Sequence, residues 1–346
     1  MSGDTSRHGR IEELDALRGI ASIAVSFAHF HVGSACIDAI GVYAQHGVEL
    51  FFMISGFVIY MTLQKKQHII DFVAARFARL YPAYILSIVV IASMHLLFAD
   101  YLPPAPTLST FLGNTMIWHP LFGIESVSVV YWTLWVEVRF YFLMGIVLLL
   151  QHTEKIDRYL WAWLALVSVC NAYTALTGDS LPAVLRVGYA LAIPEQAHYF
   201  IAGIIFYKMV IRRIHKGHMA LLGLCLLREL TLFTPDKTSI VVVCYGIFFL
   251  LVHGRLRLLA ARPLVFLGTI SYSLYLTHQV VGDVTIHYLS ANTGVSSAWQ
   301  FVMAEVLSIA LATAVTYVIE IPSMSAIRQG YRQIRKSVLD SKARSH

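Results

Sequence analysis

Long apolar stretches alternate with short polar segments over almost the whole chain. A helix needs about 20 apolar residues to cross a hydrocarbon layer of about 30 Å, and charges, Pro, Gly or Asn bound stretches of that order. The predicted spans are Leu14 to Val32, Gly47 to Leu63, Pro82 to Ala99, Val130 to Leu150, Tyr159 to Ala175, Glu195 to Ile211, His218 to Leu227, Ser239 to Val252, Pro263 to Val281 and Ala298 to Ile319. We therefore predict an all-α, polytopic membrane bundle of about ten transmembrane helices.

The composition supports a membrane protein. Hydrophobic residues make up 58% and charged residues 13% of the chain, whereas a soluble domain carries about 25% charged residues. A net charge of +6 would suggest nucleic-acid binding in a soluble protein, but in a membrane protein it is typical of cationic loops facing anionic lipids. We expect membrane lipids, and no nucleic acid, as partners.

The distribution of positive charge predicts the orientation. Most of the 26 Lys and Arg residues fall in alternate connections and at the two ends of the chain, and such residues collect on the cytoplasmic side. Both termini are therefore expected in the cytoplasm. Residues 1–322 would form the membrane domain and residues 323–346 a basic cytoplasmic tail.

Two further features are less regular. The connection from Asp100 to Val129 is too long for a turn, so it is expected to be partly re-entrant or to lie along the outer surface. The four cysteines lack the spacing of a zinc site or a disulfide framework, so no metal is expected. They are Cys36, Cys170, Cys225 and Cys244.

Ionisable residues within the predicted spans are candidates for function, because each costs about 2.5 to 3.5 kcal/mol to insert. Arg18 and His29 are 11 residues apart, which places them on one helix face about 16 Å apart. Glu49, Glu137 and His278 fall near the outer ends of their spans, so these three and His29 could share a depth. The alternative for a lone intramembrane His is an interhelical hydrogen bond.

A pair of arginines lies on the opposite, cytoplasmic side of the predicted bundle. Arg76 and Arg79 lie at i and i+3 of an amphipathic segment, so their guanidinium groups would be neighbours. Paired guanidinium groups suit phosphate, which they bind bidentately. The alternative is an interfacial helix held by lipid head groups.

Six motifs, in order, resemble the acyltransferase-3 family of membrane acyltransferases. They begin at Leu14-Asp15-Ala16-Leu17-Arg18-Gly19 (continuing to His29), Phe51-Phe52-Met53-Ile54-Ser55-Gly56-Phe57, Arg76-Phe77-Ala78-Arg79-Leu80-Tyr81-Pro82, Trp132-Thr133-Leu134-Trp135-Val136-Glu137, Gly268-Thr269-Ile270-Ser271-Tyr272 (continuing to His278) and Glu320-Ile321-Pro322. Thr133 stands where the family commonly has Ser. The resemblance covers nearly the whole chain.

The resemblance implies an enzyme of the bacterial inner membrane. It would transfer an acyl group, usually acetyl from acetyl-CoA, to a hydroxyl of an exopolysaccharide, a lipopolysaccharide, a lipid-linked sugar or a small glycosylated metabolite. By motif, Arg18 and His29 are paired essential residues, Arg76 and Arg79 are coenzyme contacts, and Ser55 and Glu137 belong to the site.

The expected mechanism has two forms. His29 acts either as a general base, oriented by Glu137, or as the carrier of a transient acyl group. Ser55 joins the two arginines as a donor-binding residue. The candidate acceptor contacts are Glu49, Trp132, Tyr275 and His278, although the two aromatic residues would also suit an interfacial belt.

Two other classes of protein would explain the buried charges. A glycan or lipid transporter also carries ionisable groups at mid-membrane, but the inverted repeats and paired broken helices typical of transporters are not visible in the sequence. A scaffold in an export complex would tolerate the loss of His29.

Overall fold

The structure is a computed structural model that describes residues 11–65 and 68–344, with side chains as far as Ser337. The described residues form helices and no strand. The fourteen α-helices are α1 Glu12–His29, α2 Ala35–Ala44, α3 Gly47–Leu63, α4 Ile69–Leu97, α5 Leu108–Gly113, α6 Tyr131–Leu149, α7 Ile156–Thr177, α8 Ala183–Leu191, α9 Ala197–Val210, α10 Lys216–Leu232, α11 Pro235–Val252, α12 Arg262–Asn292, α13 Ser297–Val315 and α14 Ile321–Arg344. The all-α prediction is confirmed.

Each predicted span coincides with a helix, and the predicted seventh span, His218 to Leu227, lies within the longer α10. Among the described residues, seven helical stretches are both long enough and apolar enough to cross a membrane. The chain is thus an integral membrane protein. The count of ten spans and the cytoplasmic placement of both termini stay predictions, and the N-terminal arm, residues 1–10, lies outside the described residues.

Two helix pairs approach so closely that only glycine fits between them. A Cβ at Gly56 of α3 would collide with the Phe200 carbonyl of α9, and a Cβ at Gly203 of α9 would collide with the Met53 carbonyl of α3. Small residues allow membrane helices to pack backbone against backbone in this way. The α3–α9 pair therefore forms a rigid core, in which Phe200 is fully buried.

The second close pair is α1 with α12. A Cβ at Gly268 would meet the Asp15 carbonyl, and a Cβ at Gly19 would lie 2.7 Å from the Gly268 nitrogen. Arg18 and His29 are on α1, and His278 is on α12. The glycine contact thus fixes the helix that carries both predicted essential residues against the helix that carries the second histidine.

The long connection between α4 and α6 folds back against the middle of α4. The Tyr84 hydroxyl donates to the Asn114 carbonyl at 2.5 Å, and the Tyr81 hydroxyl donates to the Thr115 carbonyl at 2.8 Å. The fully buried Asn114 side chain donates to the Thr110 and Glu125 carbonyls and accepts from Val127 N–H. The connection therefore re-enters the helical bundle, which is one of the two arrangements predicted.

Because of this path, α6 begins deep in the bundle. The Tyr131 and Ser87 hydroxyls lie 2.6 Å apart, and Ser87 is ten residues before Leu97, the last residue of α4. A helix rises 1.5 Å per residue, so α6 begins about 15 Å below that end of α4. Glu137 consequently lies deeper in the bundle than its position seven residues after Val130, the start of the predicted span, would indicate.

The segment from residue 323 onward continues the bundle as a helix. A π-helical turn at Thr316–Glu320 joins α13 to α14, and α14 packs against α4. Asp71 of α4 accepts from the Tyr331 hydroxyl at 2.6 Å and from Arg335 at 2.8 Å. The start of the predicted cytoplasmic tail is thus tied to the membrane domain.

We expect Gly56→Ala to destabilise the protein by about 1 to 3 kcal/mol or more, because the new methyl group has no space beside the Phe200 carbonyl. The measurement is thermal unfolding of the purified protein in detergent. Gly223→Ala is the matched control, since a Cβ at Gly223 of α10 meets nothing within 4 Å. Equal melting temperatures for the two variants would contradict the close crossing.

Candidate active site

A cavity lies between α1, α3, α4, α6 and α12. It holds about 850 Å³ of empty space, including the part that opens to solvent. Its polar and charged lining residues are Arg18, Ser55, Arg76, Arg79, Thr133, Glu137, Tyr141, Ser271, Tyr272 and Tyr275. Apolar side chains, among them Phe51 and Phe52, complete the walls. Polar groups converging in an otherwise apolar cavity are typical of a ligand site.

Glu137 is held by two hydroxyl groups. The Ser55 hydroxyl donates to Glu137 Oε1 at 3.0 Å, and the Tyr141 hydroxyl donates to the same oxygen at 2.5 Å. Tyr141 is one turn after Glu137 on α6. Two donors on one oxygen orient the carboxyl group, while Oε2 accepts no hydrogen bond from a described residue. Glu137 thus presents an oriented carboxyl group at the cavity wall.

Arg79 is bound by a buried carboxylate. It forms an ion pair with Glu320, whose side chain is only 1% exposed and also accepts from the Ser273 hydroxyl at 2.7 Å. The Arg79 guanidinium lies 5.2 Å from the centre of the Tyr272 ring. A buried ion pair of this kind is costly to break, because the remaining charge loses its partner. Arg79 therefore links α4 to the junction of α13 and α14.

Arg76 and Arg18 are in a different situation. Neither makes an ion pair with another described residue, and Arg76 Nε is buried without a hydrogen-bond partner. Arg76 lies 5.9 Å from the Phe72 ring centre and 5.8 Å from the Tyr141 ring centre. Both guanidinium groups line the cavity, so they are available to an anionic ligand.

His29 and His278 lie side by side beyond this cavity. His29 Nδ1 is 2.8 Å from the Val25 carbonyl oxygen and 3.4 Å from His278 Nε2. His278 Nδ1 is 2.9 Å from the Tyr275 carbonyl oxygen. A carbonyl only accepts, so each Nδ1 carries its proton and each Nε2 keeps a lone pair when the ring is neutral. His29 Nε2 can therefore act as a base.

The structure brings six of the predicted site residues to the cavity lining, and these are Arg18, Ser55, Arg76, Arg79, Glu137 and Tyr275. His29 and His278 form their own pair, next to the Tyr275 ring at 5.9 Å from His278. The expected contact between Glu137 and His29 is not formed. The contact is absent because α6 begins deep in the bundle, which brings Glu137 to Ser55.

Two predicted acceptor contacts lie elsewhere. Glu49 is 4% exposed, and its Oε1 lies 3.4 Å from Lys237 Nζ and 3.5 Å from His46 Nδ1. Trp132 is 44% exposed and packs on Phe52, with ring centres 6.1 Å apart. Neither side chain lines the cavity.

Five residues of the site were not predicted from the sequence, and two of them, Thr133 and Ser271, are small hydroxyl residues within the recognised motifs. Tyr141 was detectable, because it follows Glu137 by four residues on the same helix face. Glu320 stands in a recognised motif but had no assigned role. Tyr272 carries no signal of its own, since an aromatic residue in an apolar helix is usually packing.

Asp157, His215 and His218 form a separate cluster whose potential ligand atoms all lie within 4.8 Å of one another. His218 Nδ1 accepts from His215 N–H, and His215 Nδ1 accepts from Gly217 N–H, both at 3.1 Å. His218 Nε2 lies 3.0 Å from Asp157 Oδ1 and 3.1 Å from Lys208 Nζ, and Lys208 forms an ion pair with Asp157. The carboxylate is therefore already balanced by a cation of the chain, and the cluster is an ion-paired helix cap.

The fold and the cavity define a polytopic membrane protein with a charged, partly enclosed site. The family model of the acyltransferase domain Acyl_transf_3 matches residues 11–321. The chain belongs to this acyltransferase-3 family, which confirms the resemblance carried by the motifs. It is therefore a membrane acyltransferase.

The chain is also similar to a curated relative, the acyltransferase MdmB of Streptomyces mycarofaciens. The two are 24% identical over 340 residues, which cover 87% of each chain. No solved structure matches the chain.

We predict that Arg79→Ala lowers the stability by about 3 kcal/mol, the lower end of the range for a broken buried pair because Arg79 is 21% exposed. Glu320 would be left buried and charged. The double variant Arg79→Ala with Glu320→Ala should recover most of this loss, as measured by thermal unfolding in detergent. Arg76→Ala is the control and should melt like the wild type. A double variant as unstable as Arg79→Ala would refute the pairing.

Proposed function

We propose that the protein is an integral inner-membrane O-acyltransferase that transfers an acyl group, most often acetyl, from acyl-CoA to a hydroxyl of a carbohydrate. The observation that carries the proposal is the cavity itself. It combines unpaired guanidinium groups with an oriented carboxyl group, and a histidine pair lies beside it. Family membership supports the acyl transfer.

The arginines suit the phosphate groups of a CoA donor. Arg76 has no ion pair with a described residue, and guanidinium groups bind phosphate bidentately. Arg18 lies further along the cavity, about 16 Å from His29 by helix rise. In the proposed arrangement the phosphates lie near Arg76, and the flexible pantetheine arm carries the thioester past Arg18 and Ser55 toward the histidines.

His29 would be the general base. A hydroxyl is a poor nucleophile at neutral pH, so a base must accept its proton as it attacks. His29 Nε2 takes that proton, the acceptor oxygen bonds to the thioester carbonyl carbon, and the carbon–sulfur bond breaks. The departing CoA sulfur then receives the proton from the imidazolium, which restores His29.

His278 is the positioning residue in this proposal. His278 Nε2 lies 3.4 Å from His29 Nδ1, and the Val25 carbonyl oxygen lies 2.8 Å from His29 Nδ1. Both acceptors favour the tautomer with the proton on Nδ1, and both would stabilise the imidazolium once Nε2 is protonated. Glu137 makes no such contact, so we assign it to the donor side of the cavity, with Ser55.

The acceptor is proposed as an exopolysaccharide, a lipopolysaccharide or a lipid-linked sugar. A small glycosylated metabolite is the alternative acceptor, since each offers a sugar hydroxyl. A glycan or lipid transporter would need the cavity to open on both faces without chemistry. Family membership favours the enzyme, and transfer assays with purified protein separate the two.

We expect His29→Ala to reduce acyl transfer by about 10²- to 10⁴-fold, the usual contribution of a general base. Binding of CoA should change little, because the arginines are untouched. The measurements are acetyl transfer from labelled acetyl-CoA and CoA affinity, both with purified protein. His31→Ala is the matched control, since His31 is an exposed histidine two residues further along.

A His29→Ala variant with more than a tenth of the wild-type rate would exclude the base. Wild-type protein that becomes labelled on His29 by acetyl-CoA in the absence of acceptor would instead support a transient acyl group on the imidazole.

We also expect donor and acceptor to approach from opposite faces, because Arg76 precedes the predicted span Pro82 to Ala99 on its cytoplasmic side, whereas His29 lies near the opposite end of the span Leu14 to Val32. The test supplies a membrane-impermeant acceptor to vesicles that hold acetyl-CoA on the other side. Transfer across the membrane is the expected result, and it should disappear in His29→Ala. Transfer only when both substrates share one face would contradict the arrangement.

A further inference from the structure

Helix α14 packs on α4 beside the arginine pair, Arg76 and Arg79. These two helices run in opposite directions, because Glu320 at the start of α14 pairs with Arg79 and Arg335 pairs with Asp71. Arg328 lies midway between Glu320 and Arg335, and on α4 Arg76 lies between Asp71 and Arg79. The two ion pairs therefore bracket Arg328 on α14 and Arg76 on α4, which sets the register of the two helices.

The helix period agrees with this register. Arg328 and Arg335 are seven residues apart, about 20° short of two full turns, so both side chains leave the face of α14 that packs on α4. Arg332 follows Arg328 by one turn. Partial desolvation and the nearby positive charges of Arg76, Arg79 and Arg332 lower the pKa of the Arg328 guanidinium.

The carboxylates nearby are already engaged. Asp71 accepts from Tyr331 and Arg335, and Glu320 is bound to Arg79 and Ser273. Among the described residues, Arg76, Arg328 and Arg332 make no ion pair within 4 Å. Guanidinium groups held together without counter-charge repel one another, so the packing of α14 on α4 creates a site that favours a polyanion.

The position of the cluster of Arg76, Arg328 and Arg332 indicates which anion would fit it. Arg76 lines the cavity and is partly buried, whereas Arg328 and Arg332 are exposed at the far end of the same row. A ligand whose thioester lies deep in the cavity would present its outermost phosphate to the exposed pair. In CoA that phosphate is the one on the 3′ position of the ribose, and the diphosphate lies nearer the thioester.

We infer that Arg328 and Arg332 of α14 form a second phosphate subsite, which binds the ribose 3′-phosphate of the CoA donor while Arg76 binds the diphosphate. This inference rests on the proposed function, because it requires CoA as the donor. It assigns a binding role to a helix that the sequence suggests is only a basic tail. The competing source of the same chemistry is the phosphate of a lipid head group.

The test compares CoA with 3′-dephospho-CoA on the full-length protein in nanodiscs of phosphatidylcholine. The double variant Arg328→Ala with Arg332→Ala should bind CoA at least about tenfold more weakly than the wild type, since charge-assisted bonds to phosphate are lost. Its affinity for 3′-dephospho-CoA should equal that of the wild type. Lysine at both positions should restore CoA binding only in part, because the charge stays but the bidentate geometry does not.

Arg158→Ala is the matched control. Arg158 is also an exposed arginine, but it lies on α7, which packs on α9 and α10. Its loss should leave both affinities unchanged, and all variants should melt at the wild-type temperature. A double variant with unchanged CoA affinity would overturn the inference, as would an equal loss for both ligands, which would indicate a general field effect.

A second arm separates the lipid source. Nanodiscs that contain phosphatidylglycerol should leave the effect of the double variant on CoA binding in place. If CoA binding depends on Arg328 and Arg332 only when anionic lipid is present, the pair binds head groups and the inference fails. If wild-type protein binds no CoA in either lipid, the donor in the proposed function fails, and the inference fails with it.

Discussion

The whole site depends on how closely helix backbones approach one another at two glycine crossings. Gly56 with Gly203 brings α3 against α9, and Gly19 with Gly268 brings α1 against α12. Apolar side chains cannot drive helix association in a lipid environment as they do in water, so close van der Waals contact is the main stabilisation available. The residues next to these glycines, Arg18 and Ser55, therefore take fixed positions at the cavity.

The two arginines of α4 lie in different environments although they belong to one short motif. Arg79 is neutralised by Glu320 and holds the junction of α13 and α14 against α4, whereas Arg76 keeps an unpaired guanidinium at the cavity. Charges in a medium of low dielectric constant interact strongly, so an unpaired cation persists only where solvent or a ligand can reach it. Helix α14 shows the same contrast between paired and unpaired arginines. Arg335 forms an ion pair with Asp71, whereas Arg328 forms no ion pair with a described residue.

In the proposed function, the groups that would move the proton lie apart from the groups that would bind charge. The histidine pair contacts backbone carbonyls and Tyr275, and Glu137 contacts hydroxyl groups. The sequence predicted one cluster of His29, His278, Glu49 and Glu137 at a shared depth. Only the two histidines meet, because the re-entrant connection shifts the start of α6 and because Glu49 turns toward Lys237 and His46.

The sequence by itself determined the all-helical membrane architecture, the position of each predicted span on a helix and the family. These follow from properties local to the chain: apolar length, helix period and short motifs such as Arg76-Phe77-Ala78-Arg79. It also placed six site residues that line one cavity. Which side chains contact each other was decided only by the tertiary structure, since the glycine crossings, the depth of α6 and the docking of α14 depend on helices far apart in the chain. A carboxylate such as Glu320 has the same local signal whether it binds a ligand or an arginine. Only the fold, by burying it beside Arg79, decides between the two.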